Sequence, residues 1–203
     1  MKLWHSPPSP FARKVRVCAI ELGLAGKIDM IETRVAPNKP NLELARENPL
    51  IKIPALATDD GTVLYDSRVI CEYLDALAGG NRMFPAAGAA RWDALRRQAL
   101  GDGIIDAGVL RRYELALRPE ALRWDEWLAG QQAKLDHALD AAEREAGAWG
   151  EAFDIGHVTL ACALAWLDFR FPDAGWRAAR PRLAEWHARV SARPAFVQTP
   201  PGA

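Results

Sequence analysis

Three short segments carry residues whose types and spacing suit the binding of anions. In SPFARKVR (residues 9–16), Ser9 stands where an apolar strand ends and an amphipathic helix begins, and Pro10 takes the first helical position, where its missing N–H is no loss. The positive end of a helix and its free backbone N–H groups favour negative charge. A hydroxyl in that place either caps its own helix or bonds to a thiolate or phosphate. In NPLIKIPAL, Ile53-Pro54 opens a strand. Pro54 cannot donate to a sheet ladder, so it either marks the strand start or forms a cis bond that turns the preceding backbone outward to pair with an extended ligand. In LYDSRVICEYL, Asp66-Ser67 opens a second helix. The pair is a cap, or a corner that binds a carboxylate.

The elements that must position these residues alternate through the first 80 positions. KLWH reads as a strand, 10–23 as a helix, KIDMIETRV as a strand, NLELARE as a short helix, PALAT and TVLY as strands joined by a hairpin turn at DDG (59–61), and 66–78 as a helix. The order β-α-β-α-β-β-α predicts a small mixed sheet flanked by helices. Gly79-Gly80-Asn81 and Pro85 then break the pattern. Beyond them helical periodicity dominates 88–117, 121–147, 155–170 and 181–192, with breaks at Pro119, Gly147 and Gly150, Pro172 and Gly175, and Pro194. The chain therefore divides into an α/β domain (1–80), a linker (81–86) and an all-helical domain (87–203). Trp92, Trp124, Trp127, Trp166 and Trp186 lie on the later helices and are expected mostly to fill the interhelical core, with one or two lining a pocket as the alternative. The PPGA tail (200–203) is expected to be disordered.

Composition narrows the partners. Twenty-six basic and 26 acidic residues cancel, so no general field draws this chain to nucleic acid or to an anionic membrane. Cys18, Cys71 and Cys162 are odd in number, far apart and set in apolar helical patterns, which predicts buried thiols in a reducing compartment and no disulfide framework. His5, His137, His157 and His187 show no metal-ligand spacing, so no metal site is expected. No stretch approaches the roughly 20 apolar residues of a membrane span. A soluble cytoplasmic protein is the expectation.

Taken in order, and with FDIGHVTLACALAWLDFR (153–170), the three segments make the chain similar over nearly its whole length to the soluble glutathione S-transferases, as a bacterial-like serine-type member. The resemblance implies a thioredoxin-like α/β N-terminal domain, an all-α helical C-terminal domain, glutathione as co-substrate, a role in detoxification, and a homodimer. It places Ser9 at the position of the activating serine, which leaves no mixed disulfide with glutathione available there. Ile53 matches the residue whose backbone pairs with the cysteinyl unit, and Pro54 matches the family's cis-proline. Asp66 and Ser67 match the pair that grips the γ-glutamyl group, and Lys39 resembles a lysine near the glycyl carboxylate. One departure stands out: the start of the sixth helix reads Asp154-Ile155-Gly156-His157 in place of Ser/Thr-x-x-Asp. Neutral His157 lacks an acid's charge match to the helix N-terminus, which predicts a weaker helix end.

The implied reaction is attack of the glutathione thiolate on a small hydrophobic electrophile. The same site would equally serve glutathione-dependent isomerisation, dehalogenation or peroxide reduction, and a non-enzymatic ligand- or protein-binding module is the alternative of another class. The acceptor cleft is expected between the domains, with Ile105, Tyr113 and Trp166 as candidates that core packing explains equally well.

Overall fold

A computed structural model describes residues 1–151 and 153–202. The four strands are β1 (Lys2–His5), β2 (Asp29–Glu32), β3 (Ala55–Ala57) and β4 (Val63–Leu64). They form one sheet in the order β2-β1-β3-β4, in which β1 runs parallel to β2 and antiparallel to β3, and β3 antiparallel to β4. Leu3 at the centre pairs with Met30 on one side and Leu56 on the other. The hairpin between β3 and β4 closes where Thr58 N–H donates to the Thr62 carbonyl at 2.9 Å, with Gly61 at φ 87°, a left-handed turn position that suits glycine.

Helices α1 (Pro10–Glu21) and α3 (Ser67–Leu77) bury Val15, Cys18, Ile70 and Leu74 in the core with the sheet's Leu3 and Leu56, and the short α2 (Leu44–Glu47) follows β2. The segment after α3 is held by one carboxylate: buried Asp75 accepts from the backbone N–H groups of Arg82, Met83 and Phe84 at 3.2, 2.8 and 3.3 Å. The all-α part comprises α4 (Gly88–Leu117), α5 (Asp125–Ala146), α6 (Ile155–Arg170), α7 (Trp176–Ala179), α8 (Pro181–Ser191) and α9 (Pro194–Val197). The two short helices α7 and α9 carry too little periodicity to be read from sequence. Among the described residues no helix is long and apolar enough to cross a membrane.

The seam between α4 and α6 is close enough to need glycine. A Cβ at Gly108 would lie 2.6 Å from the Trp166 ring, and one at Gly156 would lie 2.7 Å from the Ala94 carbonyl oxygen. Trp166 and Trp186 are buried as expected. Trp92, Trp124 and Trp127 are not: they are 68, 59 and 37 % exposed, because Trp92 lies on the outward face of α4 and the other two flank the start of α5. The three cysteines are buried and free; Cys162 is pushed up to about 11 by burial, and Cys18 is raised by its hydrogen bond with Cys71 and by burial.

Two further expectations change. The start of α6 is fully closed: Asp154 Oδ1 accepts from His157 N–H at 3.1 Å, and His157 Nδ1 accepts from Asp154 N–H at 3.2 Å, a reciprocal capping box with histidine in the acid's place. Arg97 supplies the charge balance, its Nη1 lying 3.1 Å from Asp154 Oδ2. The chain end is also tied down, with Pro201 and Gly202 in a turn and Gly202 N–H donating to the Pro7 carbonyl at 3.4 Å; Ala203 of the PPGA tail lies outside the described residues.

Candidate active site

The strand directions gather the three segments. Because β3 runs antiparallel to β1 and β4 returns antiparallel to β3, the end of β1, the start of β3 and the end of β4 share one edge of the sheet. Ser9 follows β1, Asp66 follows β4 and Ile53 precedes β3, all at that edge. Ser9 is the N-cap of α1, its Oγ accepting from Ala12 N–H at 3.2 Å. That bond uses a lone pair and leaves the hydroxyl proton free to donate, so capping and anion binding coexist in one side chain. The loop that carries Ser9 is pinned from α6, where Trp166 Nε1 donates to the Pro8 carbonyl at 3.1 Å.

Ile53 precedes Pro54 across a cis peptide bond and lies outside the ladder, which begins with the Trp4–Ala55 pair. Among the described residues its N–H and C=O take no part in the backbone hydrogen bonds of loops and turns. Asp66 caps α3 by accepting from Arg68 N–H at 2.8 Å and is itself exposed, whereas Ser67 is buried at the first helical position. Lys39 stands in the loop after β2, where its backbone N–H donates to the Ala36 carbonyl at 3.1 Å and its side chain is exposed.

Between the sheet edge and the helices runs a cleft of about 770 Å³ lined by Ser9, Ile53, Lys52, Tyr113 and Trp166. Pro54, Asp66, Ser67 and Lys39 are not among its lining residues. Nor is Ile105, which is wholly buried in the core, because it lies on the face of α4 turned away from the opening. The cleft continues past Leu110, Tyr113 and Leu117 into a second space of about 810 Å³ walled by Leu122, Trp124 and Trp127. Those two exposed indoles stack with centroids 6.3 Å apart.

Residues that sequence reasoning missed hold the two parts together. Asp102 of α4 is fully buried; its Oδ1 lies 2.6 Å from Lys14 Nζ on α1, also fully buried, and its Oδ2 lies 2.8 Å from Arg68 Nε on α3. One carboxylate thus fixes α4 against both helices that start at the sheet edge. A turn later Asp106 lines the cleft, its carboxyl raised by partial burial and by Asp102, with Arg68 and Lys52 pulling the other way. The available signal was the i, i+4 spacing of the two aspartates among the apolar residues of α4.

The family model of the glutathione S-transferase N-terminal domain matches residues 8–77, and that of the C-terminal domain matches residues 125–189. The chain belongs to the glutathione S-transferase family. All six sequence-derived candidates, Ser9, Lys39, Ile53, Pro54, Asp66 and Ser67, fall inside the N-terminal match. This transferase is 30 % identical to the uncharacterized GST-like protein YibF of Escherichia coli (strain K12), over 99 % of this chain and 98 % of that one. A crystal structure of a glutathione transferase family member from Pseudomonas fluorescens Pf-5 with bound glutathione superposes with a TM-score of 0.97 at 46 % identity, covering 100 % of this chain and 99 % of the other. Another from that organism, with bound S-(propanoic acid)-glutathione, gives a TM-score of 0.92 at 45 % identity over 98 % of each chain.

Proposed function

We propose that this transferase activates the thiol of glutathione and transfers it to small hydrophobic electrophiles. The observation that carries the reading is the uncommitted hydroxyl proton of Ser9, placed in the same cleft as the unpaired backbone of Ile53 and the apolar wall of Tyr113 and Trp166. The glutathione in one P. fluorescens structure and the glutathione thioether in the other support the same co-substrate here. The thiol is held by the domain of residues 1–80, across the linker 81–86 from the acceptor wall in 87–203. Ile53 pairs with the cysteinyl unit, with Pro54 setting its backbone; Asp66 and Ser67 hold the γ-glutamyl group, and Lys39 attends the glycyl carboxylate.

A thiol with a pKa of about 8.5 is only a few per cent ionised at neutral pH, and the thiolate is the nucleophile. Lowering that pKa by about two units requires roughly 2.7 kcal/mol of preferential stabilisation of the anion. A hydrogen bond to a charged group contributes roughly 1.5–3 kcal/mol and a helix N-terminus about 0.3–1, so Ser9 and α1 together suffice. The thiol proton goes to water; the sulfur then bonds to the electrophilic carbon as the leaving group departs with its electron pair. Turnover against a panel of apolar electrophiles tests this, and saturable glutathione binding with no turnover would overturn it.

The enzyme works in the cytoplasm as a homodimer. Val69 and Leu77 on α3 and Trp92 on α4 are 48, 48 and 68 % exposed, apolar surface that a second copy would cover. Light scattering at micromolar concentration is expected to give about twice the 22.4 kDa chain mass, and a persistent monomer would contradict it.

A further inference from the structure

The helical wall of the cleft carries two cations that the transfer step does not use. Arg112 of α4 and Arg170, the last residue of α6, both line the space that holds Ser9, Tyr113 and Trp166. Neither guanidinium joins an ion pair among the described residues. Among the described residues Arg170 Nε is buried with no hydrogen-bond partner, and its guanidinium carbon lies over the Phe169 ring, 4.2 Å from the centroid. Burial, and then the charge of Arg112 beside it, lower the pKa of Arg170. The carboxylate that lines the same cleft, Asp106, sits six positions before Arg112, about 9 Å along the helix axis, and the cations acting on it are Arg68 and Lys52.

Two like charges brought together in a partly buried wall, with one donor left unsatisfied, are costly unless an anion joins them. We infer that Arg112 and Arg170 form a carboxylate-binding subsite for the acceptor, so that the preferred electrophiles carry a carboxylate a few bonds from the carbon that glutathione attacks. This rests on the transferase reading and gives it a substrate class. Guanidinium forks match a planar carboxylate. Tyr113 and Trp166, in the same cleft, provide apolar packing for the carbon chain between sulfur and carboxylate. Glutathione's own carboxylates are assigned to the sheet domain, at Asp66-Ser67 and near Lys39, which leaves the helical pair to the acceptor.

Calorimetry with three probes tests the subsite: glutathione, S-propylglutathione and S-(2-carboxyethyl)glutathione. The wild type is expected to bind the carboxyethyl thioether about tenfold or more tighter than the propyl one. Arg112→Gln and Arg170→Gln should each erase that preference, while Arg112→Lys keeps part of it; glutathione itself should bind all variants alike. Equal affinity for the two thioethers in the wild type overturns the subsite alone. A loss of glutathione affinity in both glutamine variants also overturns it, by assigning the arginines to the co-substrate. Failure of the wild type to bind glutathione overturns the transferase reading, and the subsite with it.

Discussion

Helices α1 and α6 both begin with a polar N-cap, yet the two caps are spent differently. At α6, Asp154 accepts from His157 N–H, His157 Nδ1 accepts from Asp154 N–H, and Arg97 lies 3.1 Å from the carboxylate. Against burial, these partners hold the Asp154 carboxyl below its ordinary range. His157 is buried, its ring centroid 5.5 Å from that of Trp149 in a T-shaped contact. At α1, Ser9 Oγ accepts one bond from Ala12 N–H, its own N–H goes back to the Ser6 carbonyl, and the residue lines an open cleft. A closed cap holds a helix in place. An open one retains bonding capacity for a ligand, so breaking the first should cost stability and breaking the second should cost chemistry.

The largest expected effect lies on the closed side. Asp102→Ala strands buried Lys14 and should destabilise the fold by about 3–5 kcal/mol in denaturant unfolding; a loss under 1 kcal/mol would mean the ion triad does not tie α4 to α1 and α3. Next comes pH. Burial, with the nearby Arg177, lowers His187 from 6.5 to about 4. The unfolded chain therefore binds this proton first, so its stabilising contribution is complete above pH 6.5 and is lost as pH falls toward 4. The slope is about 1.4 kcal/mol per pH unit and the total about 3 kcal/mol, and His187→Gln should flatten that part of the profile.

On the open side, Asp66→Ala and Ser67→Ala should each weaken glutathione binding by roughly 1–3 kcal/mol in calorimetry, with Asp66→Ala also costing about 0.5–2 kcal/mol of stability because it removes the N-cap of α3. Unchanged affinity in both would remove them from the γ-glutamyl site. Smallest is the direct contrast of the caps: Asp154→Ala should lower stability by about 1–2 kcal/mol and leave the thiol's ionisation alone. An effect of Asp154→Ala on the bound thiol would dissolve the distinction between the two caps.

Local pattern predicted the strand and helix order well, because Ser9-Pro10, Asp66-Ser67 and the glycine and proline breaks act over a few residues. The gathering of Ser9, Ile53 and Asp66 at one end of the sheet rests on strand directions, which the order of elements leaves open. Long-range contacts were hidden. Asp102 looks like any polar residue until Lys14 and Arg68 arrive from two other helices. His157 reads as a mismatched cap, because sequence spacing does not reveal which ring nitrogen returns to Asp154 or that Arg97 reaches it from α4. Ile105 and Tyr113 lie on one helix, and only the packing of α6 decides that Tyr113 faces the cleft while Ile105 enters the core.

The pKa of glutathione's thiol, titrated by thiolate absorbance while bound to wild type and to Ser9→Ala, tests the open cap most directly. The hydroxyl should hold the wild-type value about two units below the free thiol, and Ser9→Ala should return most of that shift while sparing glutathione affinity and lowering neutral-pH turnover. An identical pKa and rate in the two proteins would leave Ser9 as a helix cap and nothing more.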